Sequence, residues 1–279
     1  MVIRILVTGA SGHLGARVAA RATVPGWSVV GTYFVTPAPT AGERLDVRDA
    51  AAVRGLMERL RPEVVIHTAA GRDDWRVMAD GAGHVAVAAA AVGARLVHVS
   101  SDALFSGRDG FSGRDGEYDE TAQPDPVYRY GAAKAAAETA VRAVDPGAAV
   151  VRTSLIVGDG RGQHEKLTRD LLAGRVEGVL FTDMIRKPVH VDDLADALLE
   201  LATMDYAGIL NVAGPDPISR YDLGVLTARR DGLDPARIPA GSIAGSGRSL
   251  PADVRLRTDK AVSLLTTRLR GVREFMADR

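Results

Sequence analysis

The sequence predicts an α/β fold, a doubly wound parallel sheet with a smaller C-terminal lobe. Short β-branched runs alternate with Ala-rich helical stretches through roughly the first hundred residues. The runs are apolar almost throughout, as in strands covered on both faces. A glycine-rich turn, Gly9-x-x-Gly12-x-x-Gly15, lies between the first strand and the first helix. Those three observations point to a Rossmann-type sheet, whose ligands bind at the C-terminal strand ends.

Each element has its own justification. Val2 to Val7, Ser28 to Phe34, Val64 to Thr68 and Leu96 to Ser100 read as buried strands. His13 to Ala22, Asp49 to Leu60 and Asp80 to Val92 read as helices, with Asp49 a plausible N-cap and Pro62 beyond a helix end. A helix over about Val127 to Val144 stops at Asp145-Pro146-Gly147, and a strand follows at Ala149 to Arg152. A helix is expected near Glu165 to Ala173 and a strand near Val179 to Phe181. Asp192 or Asp193 is expected to cap a helix beginning at Leu194. Arg220 onward reads as loop-rich, and Gly241 to Gly247 as a mobile loop beside the cleft. Phe105 to Gly110 recurs at once as Phe111 to Gly116, a loop duplication. The expected organisation is a dinucleotide-binding domain over 1–160 and a mostly substrate-binding lobe over 161–279. A segment near 188–213 returns to the first domain.

Bulk properties narrow the function. At 279 residues and 46% hydrophobic content the chain can bury a substantial core. Thirty-five basic residues balance 35 acidic ones, without a basic run, so no nucleic-acid or anionic-membrane partner is expected. A small-molecule substrate is. The absence of cysteine excludes disulfides and thiolate chemistry, and Met1 to Ile5 begins a strand rather than a signal peptide. A cytoplasmic location is therefore expected. The longest apolar stretch, Val85 to Ala94, is about half a membrane span and reads as a buried helix.

The chemistry-bearing residues cluster in three places. Gly9, Ser11, Gly12, His13, Leu14 and Gly15 are placed to hold a pyrophosphate at a helix N-terminus, where glycines let the backbone approach; a structural turn is the alternative. The second strand ends Thr32-Tyr33-Phe34 without the carboxylate that would repel a 2′-phosphate. NADP(H) is therefore preferred over NAD(H), although no arginine is obviously placed for that phosphate. Asp46 and Val47 are candidates for the adenine amine, with helix capping the alternative for Asp46. Tyr130 and Lys134, four apart on one helix face, suit general acid–base work. An ammonium favours the phenolate of a tyrosine whose intrinsic pKa is about 10. Ser101, at a strand end, can bind the carbonyl oxygen that Tyr130 protonates, or simply cap the strand. Arg186 and Lys187 precede Pro188 as candidates for a substrate diphosphate or as a solvated turn. The six histidines lack metal-ligand spacing, so no metal is assigned; His67, His98 and His190 read as packed or capping.

The glycine turn, His67-Thr-Ala-Ala70, Ser100-Ser-Asp102 and Tyr130-Gly-Ala-Ala-Lys134 resemble the extended short-chain dehydrogenase/reductase family. Within it the chain is similar to the dTDP-4-dehydrorhamnose reductase-like, sugar-nucleotide-binding proteins. Val99 to Gly107, Tyr118 to Glu120, Val151 to Ser154, Pro188 to Asp193 and Asn211 to Gly214 resemble that family's recurring segments, over nearly the whole chain. The resemblance implies an oxidoreductase reducing a keto group of a nucleotide-linked sugar. Its catalytic residues would be Ser101, Tyr130 and Lys134. Tyr130, Lys134, Ala69 and Ala70 would join the cofactor site, and Ser101, Asp102, Ala103, Leu155 and Arg186 would face the substrate. A homodimer is compatible with it. Ala103 and Leu155 stand where the family's reductases carry an aromatic and a tryptophan, and Ala103 where related dehydratases carry an acid, which argues against dehydration. An epimerase with retained NAD and a noncatalytic regulatory subunit are the rival readings.

Overall fold

The computed structural model describes residues 2–71, 74–107 and 116–277. The second half of the first FSGRDG copy and all but the last residue of the second therefore lie outside the described residues. Six strands are interleaved with helices, except that β3 follows β2 directly: β1 (Ile3–Thr8), β2 (Trp27–Tyr33), β3 (Glu43–Arg44), β4 (Val64–His67), β5 (Arg95–Val99) and β6 (Ala149–Thr153). The helices are α1 (His13–Arg21), α2 (Ala50–Leu60), α3 (Gly81–Ala91) and α4 (Arg129–Val144). After four short strands the chain returns through α6 (Val191–Thr203) to β11 (Gly208–Val212). The resulting seven-stranded sheet has the order β11-β6-β5-β4-β1-β2-β3, parallel at every pairing.

Side-chain alternation sorts the two faces. Ile5, Val7, Ile66, Val97 and Val151 pack with Val18 of α1 and Leu194 and Leu198 of α6. Their neighbours Leu6, Val65, Leu96 and Val150 pack with Leu56, Val85, Ala137 and Val141 of α2, α3 and α4. The chain reverses direction across the sheet at β1, between β2 and β4, which places the ligand crevice at the Gly9 end. Asp49 caps α2, accepting from the amides of Ala51 and Ala52 at 2.9 and 3.0 Å. The stretch from Val85 sits in α3, with Val85, Ala86, Ala88 and Ala89 buried.

The C-terminal half of the chain departs from expectation in three places. The helix after His190 begins at Val191, and its cap is the His190 ring, whose Nδ1 accepts from Asp192 N at 3.1 Å. Neither aspartate is free to cap: Asp192 pairs with Arg17, and Asp193 takes the amide and guanidinium of Arg270. The segment from Arg220 is helical, α7 (Arg220–Arg230) following α5 (Gln163–Leu172) in the chain. Ser219 caps α7 by accepting from Asp222 N, and Leu223, Thr227 and Ala228 are buried at helical spacing. The Gly241–Gly247 segment is ordered. β13 (Ala240–Gly241) pairs with β8 (Leu180–Phe181), and the one-turn helix α8 (Ile243–Ser246) is held by the Asp183 carboxylate. Two more short pairs, β7 (Ile156–Val157) with β10 (Val189–His190) and β9 (Ile185–Arg186) with β12 (Ile218–Ser219), complete the lobe.

One buried ion pair anchors α4 to the sheet. The Arg152 guanidinium, 1% exposed, donates to both Glu138 oxygens, at 2.8 Å from Nη2 and 3.0 Å from Nε, and to the Ala122 carbonyl. Removing one partner strands a buried charge, whereas removing both does not. Glu138→Ala should therefore cost about 3–5 kcal/mol in denaturant unfolding. The Glu138→Met, Arg152→Met double variant should lose much less, and equal losses would contradict this account.

Candidate active site

The strand ends open into one cavity of about 1050 Å³. That is at the upper limit of single small-molecule pockets, roughly 300–1,000 Å³. At one end lie Gly9, Ser11, Gly12, His13, Leu14 and Gly15. Gly9 has φ +75°, and a Cβ there would come within 2.7 Å of the Ala69 backbone, so only glycine lets the turn pack on the end of β4. Helix α1 starts with no side-chain cap at Gly12, leaving its first amides directed at the cavity. His13 Nε2 lies 2.8 Å from Asp159 Oδ1, tying the turn to the loop after β7.

Beside the glycine turn, at the ends of β2 and β4, the cavity is lined by Thr32, Tyr33, Phe34, Asp46, Val47, Arg48, Ala69 and Ala70. Asp46 does not cap α2. Its carboxylate accepts from the Arg48 amide and guanidinium, bonds that hold its pKa below the ordinary range. Arg48 also donates to Asp74 at 3.1 Å and lies 5.0 Å from the Phe34 ring centroid. An arginine therefore does stand at the end of the cleft where the sequence offered no obvious one. Its position two residues past Asp46, in a turn rather than on β2, hid it.

At the opposite end Ser101, Tyr130 and Lys134 line the same cavity. Ser101 follows β5 in extended conformation; its Oγ accepts from Ala103 N at 3.2 Å and donates to Asp102 Oδ1 at 3.4 Å. Capping and cavity exposure thus coexist. A Cβ on Gly131 would strike the Ala103 carbonyl oxygen, so glycine lets the first turn of α4, with Tyr130, press against the Ser101 segment. One turn on, the buried Lys134 ammonium donates to the Val99 carbonyl at 3.0 Å. Burial pushes its pKa down to about 8, against the opposing pull of Glu138. His67 and His98 stack beneath with centroids 5.3 Å apart. Burial, with the Lys134 charge adding, pushes His67 down to about 3, so this packed pair stays neutral.

The wall toward the lobe carries Asp102, Ala103, Tyr128, Ser154, Leu155 and Arg186. Asp102 is buried and accepts from Ser154 Oγ at 2.6 Å, with Arg186 Nε at 3.6 Å; burial raises its pKa against those partners. Burial, with Asp102 adding, also raises the Tyr128 phenol. Arg186 and Lys187 do not form a solvated turn. Arg186 is buried and donates to the carbonyls of Ile185, Pro251 and Ala252, while Lys187 pairs with Glu117 at 3.0 Å. Sequence reasoning missed Tyr128, Ser154 and Arg220 as cavity residues. Ser154, inside the Val151-Arg-Thr-Ser154 segment, was the one with a readable signal.

A buried lysine with lowered pKa destabilises the fold while it is charged. Its unfolded pKa is 10.5 and its folded pKa about 8, so the unfolded chain holds more protons between those values and stability rises with pH there. Lys134→Met should therefore gain about 1–3 kcal/mol at pH 7, and the gain should shrink toward pH 10. Urea unfolding of both proteins across that range measures it. A pH-independent loss of stability would refute the burial argument.

Comparison with known proteins agrees with this fold. A family model described as the RmlD substrate binding domain matches residues 3–278. The dTDP-4-dehydrorhamnose reductase of Mycobacterium tuberculosis is 33% identical over 261 residues, covering 89% of this chain and 82% of that one. Methionine adenosyltransferase 2 subunit beta of Xenopus tropicalis is 31% identical over 243 residues, 79% of this chain and 70% of that one. The crystal structure of Bacillus anthracis dTDP-4-dehydrorhamnose reductase in complex with NADP shares the fold. Its TM-score is 0.84 at 24% identity, with 99% of this chain and 98% of that chain covered. Among the described residues no helix is long and apolar enough to cross a membrane.

Proposed function

This chain belongs to the RmlD substrate binding domain family, and we propose that it is an NADPH-dependent reductase of a keto group on a nucleotide-linked sugar. The observation that carries the reading is that Ser101, Tyr130 and Lys134 line one cavity with the uncapped glycine turn. A dinucleotide fits these residues: Gly9 to Gly15 offer backbone amides to a pyrophosphate, and Asp46, Val47, Ala69 and Ala70 line the adjoining wall. When bound, the reduced nicotinamide supplies hydride to the keto carbon.

The chain's own residues manage the proton. Tyr130 gives its phenolic proton to the carbonyl oxygen as that oxygen gains charge, leaving an alcohol and a phenolate. The Lys134 ammonium, one turn along α4, stabilises the phenolate and, held on the Val99 carbonyl, keeps a fixed place in the wall. Ser101 donates to the same carbonyl oxygen, polarising it. Preference for NADPH over NADH is supported by the missing acid at the end of β2 and by Arg48 beside Phe34.

Tyr130→Phe should lower kcat by at least about 10²–10³-fold while NADPH affinity, read by fluorescence, changes less than about 3-fold. A fully active variant would sink the assignment. Arg48→Ala should weaken NADPH by roughly 10-fold or more and NADH much less; equal losses would remove Arg48 from the 2′-phosphate. The rival readings have their own signatures in the same assays. Protein purified with tightly held NAD indicates an epimerase. Cofactor binding without oxidation by any nucleotide-linked keto sugar indicates a noncatalytic subunit.

A further inference from the structure

Two buried arginines line the lobe side of the cavity, and they have opposite fates. Arg186 spends its guanidinium on three backbone carbonyls and the nearby Asp102. Arg220 is 7% exposed, and among the described residues its guanidinium makes no side-chain hydrogen bond and no ion pair. An arginine buried for packing finds carbonyl acceptors, as Arg186 does, because an unsatisfied buried cation is costly. Nearby acids are otherwise engaged. Asp222 is bound by Ser219 Oγ at 2.7 Å, Asp183 holds the amide of Ile243, Asp253 pairs with Arg255, and Asp102 faces Arg186 and Ser154. This corner therefore holds two guanidinium groups against one carboxylate.

Local structure adds to the positive potential. Arg220 is the first residue of the 11-residue α7, at the positive end of its dipole. Its amide donates to Met184 O at 3.0 Å and β12 pairs with β9, so the backbone beneath the guanidinium is fixed. Burial and the neighbouring Arg186 push its pKa down to about 10, which leaves it charged at neutral pH. Met184, Leu250 and Pro251 share its stretch of wall and supply no counter-charge.

We infer that Arg220 is an anion-binding residue of the substrate half of the cleft, taking phosphate oxygens of the nucleotide diphosphate through its guanidinium fork. The inference rests on the reading of the cleft as a nucleotide-sugar site, but its test does not need turnover. Because Arg220 acts on binding rather than on the reacting atoms, its loss falls on KM and not on kcat.

The test uses the full chain saturated with NADPH, which keeps added phosphate out of the cofactor site. Calorimetry with thymidine diphosphate, inorganic pyrophosphate and neutral thymidine is run on wild type, Arg220→Met and Arg220→Gln. Thymidine diphosphate should bind wild type on the order of 10–100-fold more tightly than both variants, with thymidine and NADPH affinities unchanged. The unliganded variants should melt at or above the wild-type Tm, since they lose an unpaired buried charge. Equal diphosphate affinity in wild type and variants, or variants that melt several degrees lower, overturns the assignment while leaving the reductase reading intact. Arg220-dependent binding of pyrophosphate with no gain from the nucleoside upholds the anion site and removes the nucleotide. No diphosphate binding to wild type overturns both.

Discussion

The hydrogen bond from the Lys134 ammonium to the Val99 carbonyl ties together the two elements that carry Ser101 and Tyr130. Val99 ends β5 and leads directly to Ser101; Lys134 stands one turn from Tyr130 on α4. The parallel sheet requires this arrangement. Strands β1, β4, β5 and β6 all run the same way, so Gly9, Thr68, Ser100 and Ser154 emerge along one edge. A cation buried here is costly, and its pKa of about 8 expresses that cost. The Glu138–Arg152 pair next along α4 fixes the helix so that the cost is not relieved by movement.

The same edge explains why the cavity changes character along its length. Near α1 the wall is backbone, with amides that suit phosphate oxygens and need no side-chain specificity. Near α4 it is titratable side chains in low dielectric, where a proton can be moved at small reorganisation cost. Toward the lobe, Ala103 and Leu155 replace the rings that the resemblance associates with sugar contact, and the polar groups there are Asp102, Tyr128, Ser154 and the two arginines. A wall built this way offers charge and hydrogen-bonding groups more than stacking surfaces.

The sheet and its helices were legible because period-two and period-3.6 burial, together with a glycine turn, are written locally. Asp49 as a cap and the α4 boundaries could be read for the same reason. In the lobe, the helix α5 and the strand at Leu180–Phe181 were legible in place, but the strand pairings were not. Its two-residue strands pair across distant sequence, as Leu180 with Ala240 and Ile218 with Arg186, and such pieces are too short to carry a period. Asp192 and Asp193 looked like caps because acids favour helix N-termini; Arg17 and Arg270, far away in sequence, claim both, and His190 takes the role.

Arg186 and Arg220 show where sequence reasoning about a site stops. Arg186 ends a short strand and Arg220 opens a helix, both line the cavity, and nothing local in the sequence tells their roles apart. What separates them is a supply of acceptors. The Pro251–Ala252 backbone crosses Arg186 and absorbs its donors, so it stabilises the lobe whether or not a ligand is bound. Among the described residues no such segment meets the Arg220 guanidinium. Arg186 finds its acceptors on its own backbone, whereas the Arg220 guanidinium lines the cavity, which is the basis of the inferred anion-binding role. The fate of each arginine is decided by a segment more than 30 residues C-terminal to Arg220, which no window around either residue contains.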